Sequence, residues 1–145
     1  MHPTRHVPAR RLSLAAALLA APVAGFAPTA IANEPPPGHA KVTFSTELPN
    51  APGKRLTAVV VHYAPAEASP PHHHAGSVYA YVLSGAIRSE NSATGPARVY
   101  KAGESFFEPP GSQHLISANA STTEPASLLA IFVADDGATL TAPNK

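Results

Sequence analysis

Eight histidines occur in a chain of 145 residues that contains no cysteine, so a transition-metal site here would be built from imidazoles and carboxylates. His2, His6 and His39 stand in the N-terminal stretch and the proline-rich segment after it. That leaves His62, the run His72-His73-His74, and His114. In an extended segment, side chains at i and i+2 point to one side. If residues 71–75 are extended, His72 and His74 converge and His73 points away. Two imidazoles on one short segment can grip a single ion, and a third donor must come from elsewhere in the fold. The competing reading is a solvated His-rich turn after Pro70-Pro71. No Ser-His-Asp set and no phosphate-binding glycine loop stands out in the sequence.

Residues 103–114 read GESFFEPPGSQH, which fits the pattern G-x5-P-x-G-x2-H at every fixed position. Upstream, His72 and His74 fill an H-x-H and Gly85 closes the segment. These two patterns resemble the two motifs of the cupin family, in the family's order, with seventeen residues between Gly85 and Gly103. The likeness spans roughly residues 53–134 and has the flavour of small single-domain cupin-2 proteins. It implies an all-β fold, a single double-stranded β-helix or jelly-roll barrel, with His72, His74 and His114 as metal ligands. Three positions depart from the family pattern. Ala66 stands where the first motif opens on Gly, Val78 (or, with the other permitted spacing, Tyr79) where it places a metal-binding Glu, and Ala118 where Asn should follow the second motif, Asn119 coming one place late.

With Val78 in place of the carboxylate, the resemblance supplies three neutral imidazoles and leaves several coordination positions open. That is similar to the three-His iron dioxygenases among cupins, which act on small enolisable or aromatic substrates. Fe(II) is the expected ion, with Mn, Ni, Cu or Zn also compatible with the donors. The alternative is a non-enzymatic cupin that binds a small molecule or a metal. Glu104 and Glu108 share a strand face with Phe106; either one of them replaces the lost carboxylate or they form a solvent-facing pair, and with strand parity open they are left outside the ligand set. His62 is read as a core or surface histidine, and Tyr79, Tyr81, Phe106, Phe107 and Phe132 as core or dimer contacts.

The elements that must hold these residues are strands. Short β-type runs at residues 42–46, 56–63, 78–83, 86–89, 97–100, 105–108, 114–117 and 128–134 are bounded by Gly, Pro, Asn, Asp or Ser. Such spacing, without a helical apolar period, predicts a sandwich or barrel over residues 42–137, followed by a tail at 138–145. Residues 33–41 form a proline-rich linker. Before it, residues 1–32 read as an export signal. Arg5, Arg10 and Arg11 precede a 13-residue apolar stretch at 12–24, and Ala30-Ile31-Ala32 offers small residues for a cut before Asn33. The apolar stretch falls short of the about 20 residues a bilayer span needs. Arg10-Arg11 also resembles part of a twin-arginine signal, without the usual aromatic, since Ser13 stands there.

The expected location is therefore periplasmic or secreted, with no membrane anchorage after cleavage. Without the three early arginines, seven basic residues face nine acidic ones, a charge near −2. No basic stripe remains and the chain lacks Trp, which argues against nucleic acid as a partner. The expected partners are a small-molecule ligand or substrate and, from the family likeness, a second copy in a homodimer.

Overall fold

The computed structural model describes residues 40–144. The export signal expected over residues 1–32 and the linker up to residue 39 lie outside the described residues; Ala40 and Lys41 open the first strand. Eleven strands follow in chain order: β1 (Ala40–Glu47), β2 (Lys54–Tyr63), β3 (Ala68–Ser69), β4 (His72–His74), β5 (Ser77–Ser84), β6 (Ala86–Asn91), β7 (Gly95–Lys101), β8 (Ser105–Glu108), β9 (Gln113–Asn119), β10 (Ala126–Asp135) and β11 (Thr141–Pro143). Among the described residues there is no helix. All pairings are antiparallel and form two sheets, β1-β2-β10-β5-β8 and β11-β4-β9-β6-β7, with β3 added beside β9.

Strand alternation puts the core between the sheets. In β5, Val78, Ala80 and Val82 are buried while Tyr79, Tyr81 and Leu83 are exposed. Val59, Leu128 and Phe132 join them from β2 and β10, and Ile87 of the second sheet packs against the same cluster. Full burial of one such side chain contributes about 1.5–3 kcal/mol. Tyr63 stitches the sheets together: its buried hydroxyl lies 2.8 Å from Ser117 Oγ on β9 and 2.9 Å from Ser69 Oγ on β3. Burial, only partly opposed by these two hydroxyls, pushes its phenol pKa up.

Two turn positions carry backbone constraints. Gly85 has φ +67°, and a Cβ there would lie 2.6 Å from the Pro125 carbonyl oxygen, so both conformation and space demand glycine. Ala66, at the position of the family's opening Gly, has φ +63°. The backbone keeps the left-handed turn although the side chain disfavours it.

The eight expected runs all lie within strands. Three further strands emerge, each short: β3 and β4 in the proline-broken segment after β2, and β11 in the stretch read as a tail. Their pairing explains why local sequence hides them. β4 has β9 on one side and β11 on the other, so its extended form rests on partners distant in sequence.

Candidate metal centre

The extended form of β4 puts His72 and His74 on the same side, and the β4–β9 register sets His72 directly opposite His114. The three rings meet. Centroids lie 4.8 Å apart for His72 and His74, 5.0 Å for His72 and His114, and 6.2 Å for His74 and His114. One ring nitrogen from each lies within 4.8 Å of the other two, a grouping that could hold a metal ion.

Outer contacts fix which nitrogen each ring presents. His72 Nδ1 is bonded to the Pro70 carbonyl at 2.7 Å, and His74 Nδ1 to the Leu140 carbonyl at 3.1 Å. In both rings Nε2 is left for the centre. His114 is turned the other way, with Nε2 at 2.9 Å from Ser89 Oγ. Its Nδ1 is buried without a hydrogen-bond partner. Orienting bonds on the far nitrogen are characteristic of metal-ligating histidines. A buried ring nitrogen without a hydrogen-bond partner fits a metal donor.

Burial lowers the pKa of both His72 and His74, although the Pro70 carbonyl at the first and Glu108 at the second oppose the shift. Neutral imidazole is the form that binds a metal. Phe132 stands edge-on to His74 at 5.1 Å and Phe106 flanks His114 at 6.0 Å, giving the rings apolar walls.

Glu108 requires a correction. The sequence leaves its strand parity open and sets it outside the ligand set as a solvent-facing residue; the structure buries it at 3% exposure. Oε1 lies 3.1 Å from His114 Nδ1, without hydrogen-bond alignment, and Oε2 lies 3.8 Å from His74 Nε2. The Asn91 amide donates to Oε2 at 3.2 Å and to Ser112 Oγ at 2.9 Å. Burial raises the carboxyl pKa, but His114, His74 and Asn91 together outweigh it and hold it below the usual carboxylate range. Glu108 is therefore an anion beside the imidazoles. Its side was settled by the β5–β8 pairing, which places it opposite Val78. That register is not written in the local pattern.

The other candidates are dispersed. Glu104 is exposed and accepts the Lys101 N–H; His62 is exposed on β2; His73 does not line the cavity that holds the other three rings. Phe132 is core and Phe106 lines the cavity, while Tyr79, Tyr81 and Phe107 lie exposed on the outer sheet face. Asn119 is buried and binds the Ala64 and Glu124 carbonyls, tying the loop after β2 to the turn before β10. Ser89, Asn91 and the Leu140 carbonyl complete the surroundings; nothing in their own sequence context marks them.

The rings lie at one side of a cavity of about 600 Å³. Its walls include Val42, Val59, Val61, Leu128, Ala130 and Phe132, with Thr139 to Pro143 closing one flank. Among the described lining residues none is Lys or Arg.

The cupin-domain family model matches residues 59–132, half of the chain. The chain belongs to the cupin family. The match runs from the middle of β2 into β10 and contains both motifs. Among solved structures, an uncharacterised Klebsiella pneumoniae protein with a double-stranded β-helix domain aligns at TM-score 0.57 and 23% identity, over 77% of this chain and 89% of its own. A DMSP lyase from Ruegeria pomeroyi aligns at 0.53 and 22%, over 61% of this chain and 43% of the lyase. An oxalate decarboxylase from Bacillus subtilis, described with Mn(II) centres, aligns at 0.51 and 26%, over 61% of this chain and 23% of its own. This cupin thus spans under half the length of either enzyme. A search of curated proteins finds no similar sequence.

Proposed function

We propose that this cupin is an exported, periplasmic or secreted, metal-dependent oxidoreductase of dioxygenase type acting on a small enolisable or aromatic substrate. One observation carries the proposal: beside a largely apolar cavity, three imidazoles each place one ring nitrogen within 4.8 Å of the other two. His72, His74 and His114 would hold the ion. Fe(II) is the first choice, and the Mn(II) centres of the decarboxylase keep manganese beside it. When bound, such an ion supplies Lewis acidity and redox capacity.

The protein's own contribution is the setting. Valine, leucine and phenylalanine walls receive an apolar body. With no Lys or Arg among the described lining residues, a dicarboxylate would bring a second negative charge that nothing in the wall pairs. A monoanion such as an enolate is matched better.

A binding protein without turnover is the second reading. It draws support from Tyr63, a lining residue with a titratable hydroxyl. Its hydroxyl is engaged by two serines and its phenol is held in the neutral form. For quaternary structure we propose a homodimer through the outer face of the five-stranded sheet. There the row Phe44, Ala58, Ile131, Tyr79 and Phe107 crosses every strand.

The test is oxygen consumption by Fe(II)-loaded protein offered small diketones, thiols and catechols. Substrate-dependent uptake that disappears in His114→Ala is expected. Tight binding of these compounds without oxygen uptake would select the second reading.

A further inference from the structure

The family pattern places the site's carboxylate on β5, at the position held here by Val78, which is 1% exposed and faces the cavity. Directly across the β5–β8 ladder from Val78 stands Glu108. Side chains of opposed residues in an antiparallel pair project from the same face, with Cβ atoms about 4.5–5.5 Å apart. A carboxylate on either strand therefore enters the cavity at nearly the same place. We propose that Glu108 is the fourth protein ligand of the metal centre, supplied by β8 in place of the carboxylate missing from β5. This assignment rests on the metal-site reading above and alters it: the site becomes three imidazoles and one carboxylate.

Three observations support a ligand rather than a bystander. Two donors held at about 2.0–2.2 Å on one ion lie roughly 3.0–3.5 Å from each other. Glu108 Oε1 meets that spacing at 3.1 Å from His114 Nδ1, and the second oxygen, Oε2, lies 3.8 Å from His74 Nε2. The contact with His114 lacks hydrogen-bond alignment, which is unexpected if the carboxylate merely accepted a proton from that ring. Asn91 donates to Oε2 and is itself tied to Ser112, so the carboxylate is oriented by an outer partner as the three imidazoles are. Charge follows. A divalent ion with one carboxylate keeps a single positive charge, which one monoanionic ligand neutralises.

The experiment is titration of metal-free protein with Mn(II) or Co(II) against a competing chelator, in wild type, Glu108→Gln, and the double variant Val78→Glu with Glu108→Gln. Glutamine keeps the size and the carbonyl oxygen but loses the charge. A ligand role predicts a loss of more than about a hundredfold in Glu108→Gln, beyond the ten- to hundredfold typical of an outer-shell partner. The double variant should recover most of that affinity, because the carboxylate returns on the opposite strand. Independently of any variant, the infrared difference spectrum of wild type with and without Zn(II) should show a shifted carboxylate stretch. Equal affinity of wild type and Glu108→Gln, failure of the double variant to exceed Glu108→Gln, or an unchanged carboxylate band would overturn the assignment while leaving the three-His site standing. A wild type that binds none of these ions would overturn both.

Discussion

His114 shows how much of the site depends on which atom of a residue is held from behind. Its Nε2 is bonded to Ser89, which leaves Nδ1 as the nitrogen it could offer a metal, whereas His72 and His74 have Nε2 left over. The three are separate in sequence but equivalent at the centre. His72→Ala, His74→Ala and His114→Ala should each reduce bound metal by more than about a hundredfold in affinity, while His73→Ala stays near wild type. Elemental analysis after dialysis against a weak chelator checks this; equal loss in His73→Ala would mean that β4 is not a fixed strand. Residue types and spacing were enough to single out the histidines, because i, i+2 parity is a local property. The side taken by Glu108 was left open for the opposite reason. Its neighbours Phe107 and Pro109 say nothing about which strand it faces, and only the pairing with Val78 turns it inward.

Among the elements, the loop from β2 to β4 and the strand β11 do the positioning. The loop contains Ala66 at φ +63°, where a Cβ costs about 1–2 kcal/mol relative to an ordinary conformation. Ala66→Gly should relieve that strain. Part of the gain is offset by the greater freedom of glycine in the unfolded chain, leaving a net stabilisation of about 0.5–1 kcal/mol in denaturant melts. Destabilisation would show that the turn is not held left-handed. β11 pairs Thr141 with His74 and Pro143 with His72, and the Leu140 carbonyl anchors the His74 ring. Removing residues 139–145 should weaken metal binding about ten- to hundredfold by freeing that ring, with a smaller effect on the β5–β10 core. Unchanged affinity would mean that β4 holds its rings without β11. The long strands were legible because they alternate. β3, β4 and β11 have two or three residues each and acquire extended structure from partners remote in the chain.

For the whole molecule, burying a cluster of titratable groups makes the metal-free fold sensitive to acid. His72 and His74 have pKa values held below 6.5 by burial. Glu108 is held below 4.5 because its polar neighbours outweigh its burial. In each case the unfolded chain binds protons more readily than the folded one, so stability is full above the unfolded value and declines as pH falls toward the folded one. The two imidazoles act first, below about pH 6.5, and the carboxylate adds its share below about 4.5. Metal-free protein should therefore melt at a lower temperature at about pH 5 than at about pH 7.5, with a bound divalent ion raising the melting temperature most at the higher pH. A flat profile would contradict the buried cluster. The proposed site depends most on the three imidazoles holding one ion, and the metal content of the purified chain measures that directly. Mass-spectrometric analysis should find close to one divalent transition-metal ion per chain in the wild type and almost none in His114→Ala. A folded wild type that carries no metal and takes up none when Fe(II), Mn(II) and Zn(II) are offered would contradict it.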